Sequence, residues 1–284
     1  MDITISFRGG CAIGPTSFYQ LSNSTSHNDE DHIIITYYEK EQEPIATTLM
    51  FRVAGWHNVD GRLLLIGEDS ELVFLKEGKL DKESKINFDC ILTGTYENSK
   101  SYFAHGMSNC ILSSDNGVDW GNFNKGIDKN IYGVMGLSVN NKGNGVCVGW
   151  DGEIYIFEDN KWIDLDSPTN SILTSCCILE SGLFYACGKS GVIIKGKNNY
   201  LEVIEHSHKG MEFWDVFEYE NEVFICASTT IFRLSDGELI PVVGWYLPEG
   251  GVYSSMMKTP TGFWIIAEKV TYDYRNGEFN EIPK

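Results

Sequence analysis

The sequence predicts an all-β fold made of repeated four-stranded sheets, and three observations carry that prediction. First, a short apolar strand ending in a small or turn-forming residue recurs, with its last residue at Gly67, Gly106, Gly149, Gly188, Ser228 and Glu268. The steps between these markers are 39, 43, 39, 40 and 40 residues. Second, each marker is followed by a turn, another apolar strand, and a Gly or Asn turn at Gly78, Gly117, Asn160, Asn199, Gly237 and Gly277. Residues that tolerate positive φ between two alternating strands are the strongest local hairpin signal. Third, no stretch spaces its apolar residues as an amphipathic helix would. A period near 40 residues built from strands and turns marks a repeat architecture. With an earlier apolar stretch in every unit, such as residues 89–96 or 171–179, each unit holds four strands. Four-stranded units of this length are the blades of a β-propeller.

The elements follow in order. At the N-terminus, residues 11–14 (CAIG) reproduce the marker strand, 17–22 the next strand and 32–38 an outer strand, which predicts a seventh unit. Its marker Gly14 precedes Gly67 by 53 residues, so the polar stretch Ser22 to Asp31 reads as an insertion. The expected fold is therefore a single seven-bladed domain, with six blades as the alternative. The blades fall near residues 1–43, 44–84, 85–126, 127–168, 169–208, 209–248 and 249–284. From marker to turn tip the distance is 11 residues in four units and 9 in the last two, which predicts shortened loops there. The 13% aromatic content and 29 glycines suit packed sheets joined by tight turns.

No apolar run is long enough to span a bilayer as a helix. The N-terminus lacks a basic segment followed by an apolar one, so a cytoplasmic protein is expected. The eight cysteines sit in or beside apolar strands, Cys11, Cys147, Cys187 and Cys226 among the marker strands of different units. Equivalent strands of successive blades lie too far apart for a disulfide. Eight free thiols used as small core residues, in a reducing compartment, are the expectation. Alternation along the strand should send the neighbours Cys176 and Cys177 to opposite faces.

One turn carries a named motif. Residues 113–120 read SSDNGVDW, matching S-x-D-x-G-x-T-W at every position but Asp119. This resembles the Asp-box (BNR-type, sialidase-like) propellers. The resemblance implies a structural clasp on the turn between third and fourth strands, on the side away from any active site. Ser113, Asp115, Gly117 and Trp120 would form it: the Asp carboxylate accepts backbone N–H groups, Gly takes positive φ, and Trp packs between blades. Residues 157–162, 234–239 and 274–279 are eroded versions. Sialidases need three arginines around the substrate carboxylate. This chain has only Arg8, Arg52, Arg62, Arg233 and Arg275, with none in the middle blades, which argues against that chemistry.

Other chemical candidates are weak. Glu205, His206 and His208 could start a metal site but need further ligands from another blade. Asp29, Glu30 and Asp31 lack calcium-loop spacing. NNKGNG at 140–145 is a hairpin turn, and no phosphate-binding loop or nucleophile elbow occurs. No catalytic residue, metal or cofactor is expected, and the chain reads as a binding protein.

Binding should then use the loops of one face, called here the top, where segments between blades meet the turns between second and third strands. These loops include Glu68 and Asp69, Lys189 and Ser190, and three pairings of a large aromatic with an acid: Trp150 with Asp151, Trp214 with Asp215, and Trp245 and Tyr246 with Glu249. Aromatic anchors beside charges are what protein-binding hot spots look like. With 40 acidic against 22 basic residues and a net charge of -18, nucleic acid and anionic membranes are poor partners. A basic protein is the natural complement. An acidic propeller of this size is similar to the propeller-type immunity proteins of bacterial toxin systems. That resemblance implies a monomer in the free state that neutralises a cognate toxin. A scaffold or assembly factor, and a carbohydrate-binding or glycoside-hydrolase-like propeller, are the alternatives.

Overall fold

The computed structural model describes residues 4–13, 17–25, 31–127, 132–242, 253–259, 262–267, 271–275 and 278–281. They form seven four-stranded antiparallel sheets, each strand paired with its neighbour in sequence. Blade 1 holds β1 (Thr4–Ala12), β2 (Ser17–Thr25), β3 (Asp31–Glu39) and β4 (Ile45–Leu49). Blade 2 holds β5 (Val53–Val59), β6 (Arg62–Gly67), β7 (Glu71–Lys76) and β8 (Lys79–Lys85). Blade 3 holds β9 (Leu92–Glu97), β10 (Tyr102–Gly106), β11 (Ile111–Ser114) and β12 (Gly121–Asn122). Blade 4 holds β13 (Val134–Val139), β14 (Gly145–Gly149), β15 (Ile154–Glu158) and β16 (Lys161–Asp164). Blade 5 holds β17 (Leu173–Ile178), β18 (Leu183–Gly188), β19 (Ile193–Lys197) and β20 (Tyr200–Val203). Blade 6 holds β21 (Phe213–Tyr219), β22 (Glu222–Ala227), β23 (Ile231–Ser235) and β24 (Glu238–Pro241). Blade 7 holds β25 (Tyr253–Thr259), β26 (Gly262–Ala267), β27 (Thr271–Arg275) and β28 (Glu278–Glu281).

The core lies between the blades, because each sheet buries both faces against its neighbours. Second strands show this best. In β6, Leu63 and Leu65 join the cluster shared with blade 1, while Leu64 and Ile66 join the cluster shared with blade 3. In β22, Val223 and Ile225 face blade 5 while Phe224 and Cys226 face blade 7. Strict alternation across two buried faces explains why these strands are continuous apolar runs rather than apolar–polar repeats. Cys176 and Cys177 separate in the same way, one into the blade 4–5 cluster and the other into the blade 5–6 cluster.

The marker glycines have a steric reason. Gly106, Gly149 and Gly188 end second strands where the segment joining two blades passes close by, while at Gly67 the near neighbour is the Glu71 side chain. A Cβ on Gly106 would collide with the carbonyl oxygen of Ile91, and one on Gly188 with that of Ile172. By register the equivalent residues in blades 6 and 7 are Ala227 and Ala267, opposite Phe213 and Tyr253. The markers therefore belong one residue before Ser228 and Glu268, the latter lying outside the described residues, as do Gly14 and Gly277. In blade 6 the turn is one residue tighter: Ala227 N–H donates to Thr230 C=O, whereas Gly188 N–H donates to Val192 C=O.

Two sequence expectations need correction. Cys11 lies in the first strand of blade 1, not in a second, marker strand. The polar residues after Ser22 run on within β2 to Thr25, and β3 starts at Asp31, so the ends of the expected insertion are strand, while residues 26–30 lie outside the described residues. Blade 1 also reaches Leu49 in β4, beyond the expected limit at residue 43. The strand carries no sequence signal because Asn23, Ser24 and Thr25 are polar without alternation.

The second correction concerns the thiols. Cys90 and Cys110 form a disulfide, with Cα atoms 6.4 Å apart. The argument from blade spacing fails here because both lie in blade 3, one just before β9 and the other in the turn before β11. The other six cysteines are buried and form no disulfide.

Gly188→Ala should lower stability by about 1–3 kcal/mol, the usual range for overpacking against a backbone that cannot yield. Gly121→Ala, where a Cβ meets nothing within 4 Å, should change it by less than about 0.5 kcal/mol. Urea melts of the two variants check this; equal midpoints would show that the blade junction is not close-packed.

Candidate functional site

The innermost strands share a device that shapes the centre of the ring. In β5, β9, β13, β17, β21 and β25 a one-residue bulge interrupts pairing with the second strand near the top. The extra residues are Ala54, Thr93, Met135, Thr174, Trp214 and Ser254, each followed by a small residue or, in blade 6, by Asp215. A bulge re-aims the side chain it releases. Thr93 Oγ1 donates across the junction to the carbonyl of Val134 (3.3 Å), and Thr174 Oγ1 to that of Phe213 (2.7 Å). The inner strands enclose a central channel of about 440 Å³.

Top-face geometry follows from the turns between second and third strands, which hydrogen-bond to the segments joining blades. Glu68 N–H donates to Arg52 C=O, Ser108 N–H to Tyr132 C=O and Lys189 N–H to Ile172 C=O. Glu68 is half-buried and Asp69 exposed on the β6–β7 turn. Asp151 is exposed and left-handed (φ 56°), followed by Gly152 at φ 77°, on the β14–β15 turn. Trp150 beside it is half-buried, and its Nε1–H has no hydrogen-bond partner among the described residues. Trp245, Tyr246 and Glu249 lie outside the described residues.

Trp214 and Asp215 are in strand β21 rather than a loop, and the bulge sends them to different tasks. Trp214 is 40% exposed at the channel mouth. Its Nε1–H donates to Ser228 Oγ (2.7 Å), and the Lys189 ammonium lies 5.9 Å from its ring centre. Asp215 turns inward. It accepts from Ser175 Oγ of blade 5 at 2.7 Å and from Met256 N–H of blade 7 at 2.8 Å, tying three inner strands together. Asp215 is thus a structural carboxylate, which strand periodicity alone does not reveal. Burial pushes it up to about 6, against the pull of those hydrogen bonds.

Sequence reasoning missed Met50, Ile91 and Tyr132, which are 69%, 54% and 66% exposed. All three occupy segments joining blades on the top face, around acidic turns. Each lies within three residues of the first strand of the following blade, and its sequence neighbours Phe51, Leu92 or Ile131 are as apolar as it is, so no local signal sets it apart.

The Asp-box turn sits on the opposite face between β11 and β12, with Gly117 at φ 73° and Trp120 packed against the blade 2–3 cluster. Its clasp differs from the expected one. Ser114 Oγ accepts the N–H of Gly117 (2.9 Å), and Asn116 Oδ1 accepts those of Val118 (2.8 Å) and Asp119 (2.9 Å). Asp115 is exposed and accepts from Ser101 Oγ instead, while Ser113 pairs with Gly121 across the hairpin. Asn116 offers the same amide-capping oxygen one residue later.

The histidine pair is also committed to structure. His206 Nε2 meets the Gly191 carbonyl at 2.8 Å, its Nδ1 accepts the N–H of His208 at 3.1 Å, and Glu205 pairs with Lys209. Among the described residues no three His, Cys, Asp or Glu side chains assemble a metal site. No helix among them is long and apolar enough to cross a membrane. In the channel wall, burial lowers His105 to about 4, and its Nδ1–H donates to the Val134 carbonyl (3.0 Å).

No family model matches the chain. It is similar to the immune protein Tsi7 of Pseudomonas aeruginosa PAO1, with 35% identity over 93 residues. That match covers 33% of this chain and 30% of Tsi7. Among solved structures, YCF48 bound to a D1 peptide superposes with a TM-score of 0.67 at 14% identity, covering 95% of this chain and 91% of that one. YCF48 from Cyanidioschyzon merolae gives 0.64 at 11% identity, with 95% of each chain covered. The WD40 propeller domain of Doa1 gives 0.67 at 13% identity, covering 94% and 93%. These structures establish a shared seven-bladed architecture and nothing about activity.

Burial, followed by repulsion from Asp151 and Asp164, raises Glu153 on the top-face turn to about 7. The folded protein then holds this proton, and that of Asp215, more tightly than an unfolded chain with ordinary values of 4.5 and 3.8. Their contribution to stability is full below about pH 4 and is lost as pH rises through about 6 to 7. Between about pH 5 and 8, Tm should fall more for wild type than for Glu153→Gln, which should melt higher at the alkaline end. Parallel curves in calorimetry would show that this carboxyl is not desolvated.

Proposed function

We propose that this chain is a non-enzymatic protein-binding propeller, and specifically an acidic immunity protein that binds and neutralises a cognate bacterial toxin. The observation that carries the reading is the 35% identity over 93 residues to an immune protein. The propeller fold supports it, because a rigid ring presents loops from many blades on one face without needing a catalytic group. The -18 net charge supports a basic partner, drawn in by long-range attraction.

In this reading the partner seats on the top face. Trp214, Met50, Ile91 and Tyr132 supply apolar anchors, and Glu68, Asp69, Trp150 and Asp151 surround them. Trp245, Tyr246 and Glu249 belong to the same expected surface. Trp214 is the best anchor of the set, since its indole is already fixed by Ser228 and loses little freedom on binding. Neutralisation follows from covering the toxin's working surface, inside the cytoplasm of the cell that makes both, with the free protein a monomer.

The purified chain, mixed with the toxin encoded beside it, should form a stable one-to-one complex and abolish toxin activity. Added salt should slow association. Trp214→Ala should weaken the complex about tenfold or more, as loss of a buried aromatic anchor does. If the chain leaves every co-encoded toxin active, the reading is wrong.

A further inference from the structure

Blade 3 holds its top-face turn differently from its neighbours. In blades 4 and 5 the turn between second and third strands has two successive left-handed residues, the second a glycine: Asp151 and Gly152, then Ser190 and Gly191. Blade 3 keeps this conformation with Ser108 (φ 56°) and Asn109 (φ 55°), so a residue with a Cβ stands in the glycine's place. Left-handed backbone at such a residue costs free energy and persists only where the surroundings hold it. Here the surroundings include a covalent bond. Cys110, directly after Asn109, is bonded to Cys90 in the segment that enters the blade. The same segment accepts from the turn at Ile91 C=O, to which Met107 N–H donates at 2.9 Å.

The bond lies among the exposed apolar groups of the top face. Ile91 follows Cys90 directly, and Ser108 N–H donates to the carbonyl of exposed Tyr132 at 3.2 Å. On its other side the segment is tied to the blade 2 turn. Ser70 Oγ donates to Phe88 C=O (3.3 Å), and Leu92 N–H to Glu68 C=O (2.9 Å). The two sulfurs are unequally placed. Cys110 is buried, whereas Cys90 is half-buried between exposed Asp89 and Ile91, and is the one an external thiol reaches. In Cys11, Cys147, Cys176, Cys187 and Cys226, burial pushes the thiol well above its ordinary value and suppresses the thiolate that exchange needs. Thiol chemistry therefore centres on the blade 3 pair.

We propose that Cys90–Cys110 is a site of reversible exchange with a low-molecular-weight thiol, and that its state sets how firmly Ile91 is presented on the top face. A thiolate attacks Cys90 Sγ, forms a mixed disulfide and expels the Cys110 thiolate, which takes up a proton. A second thiol attacks the external sulfur of the mixed disulfide and releases Cys90 as a thiol. Two small thiols are thereby oxidised to one disulfide, and the protein gains two electrons and two protons. Opening removes the covalent tie between segment and turn and lets the left-handed pair relax. The bonded form holds Ile91 in order beforehand, so less freedom is lost when a partner covers it. The exchange stands on the fold alone, and its effect on binding rests on the immunity reading.

The full chain, equilibrated with reduced and oxidised glutathione at varied ratio and trapped by alkylation, tests the proposal by mass. One transition of two thiols per chain is expected, at Cys90 and Cys110. Amide hydrogen exchange should run about tenfold faster at Met107 and Ser108 in the reduced chain, as loss of a local restraint does. Lys189 N–H, which makes the equivalent contact to Ile172 C=O in blade 5, should exchange equally in both forms. Cys90→Ser should behave as the reduced chain at every glutathione ratio. Both should bind the toxin encoded beside this chain about threefold to tenfold more weakly than the oxidised protein, the cost of ordering the segment on binding. A pair that shows no transition, or Met107 exchange that ignores its state, overturns the proposal. Equal affinity of the two forms overturns its link to binding. A chain that binds the toxin in neither form overturns the immunity reading alone, and the exchange result stands.

Discussion

Everything in this molecule depends on how closely neighbouring inner strands approach at the ring axis. Seven sheets close a circle only if their inner edges converge, and side chains on those edges stand in the way. Outside blade 6 the chain meets this with a small residue after the bulge: Cβ atoms on Gly55 and Gly136 would collide with Thr95 and with the backbone of Ser175. The bulge turns one residue per strand out of the crowded plane, and Thr93 and Thr174 use that freedom to bridge to the next blade. No blade borrows a strand from the other end of the chain, so closure rests on side chains. Phe18 meets Trp264 edge-on at 5.6 Å between blades 1 and 7, and Trp56 of blade 2 donates to Met257.

That constraint decides which residues are free to bind. Where the position after the bulge holds Asp215 instead of Gly or Ser, the carboxylate is consumed by blades 5 and 7 and adds order to the ring. Where the released residue is Trp214 instead of Thr, the side chain has no carbonyl to bridge and faces solvent at the mouth. Blade 6 thus departs from the repeat at two adjacent residues, one strengthening closure and the other offering a surface.

Most of the fold was legible because burial on two faces leaves a plain mark. Runs such as Leu63–Ile66 and Val223–Ala227 are apolar at every position, and a small residue ends the strand where the segment entering the same blade presses in. Blade 1 was read one strand out of register because Cys11 ends a strand that resembles the marker, while the polar tail of β2 carries no burial signal. The Cys90–Cys110 bond was missed since the distance argument compared equivalent strands of different blades, and these two residues share one. The Asp-box pattern located its turn correctly but gave the wrong acceptor, because Asn116 offers the same oxygen at a spacing the turn prefers. Glu68 and Asp69, Trp150 and Asp151, and Lys189 and Ser190 do lie between second and third strands as the strand map has them, whereas Trp214 and Asp215 lie in β21. Met50, Ile91 and Tyr132 left no such mark, since an apolar residue in a linker looks the same in sequence whether it packs or projects.

The division between the two faces follows from the same economy. The lower turns, including the Asp-box, clasp themselves or the next blade: Asn98 and Asn140 each donate to a neighbouring blade's backbone, at 3.1 Å to Val139 and 2.9 Å to Leu179. Side chains used in this way cannot also bind a partner. On the upper face the turns hold their neighbours through backbone groups and a few side chains such as Ser70, which donates to Phe88 C=O, and this leaves Asp69, Asp151 and the projecting apolar residues to face solvent. A surface with large exposed apolar groups set among acids gains from burial and from charge at once, provided the partner brings cations to the acidic turns and apolar area to the centre. Among the described residues the uncommitted groups are spread over a rim, and it is on this arrangement that the proposed protein-binding reading rests.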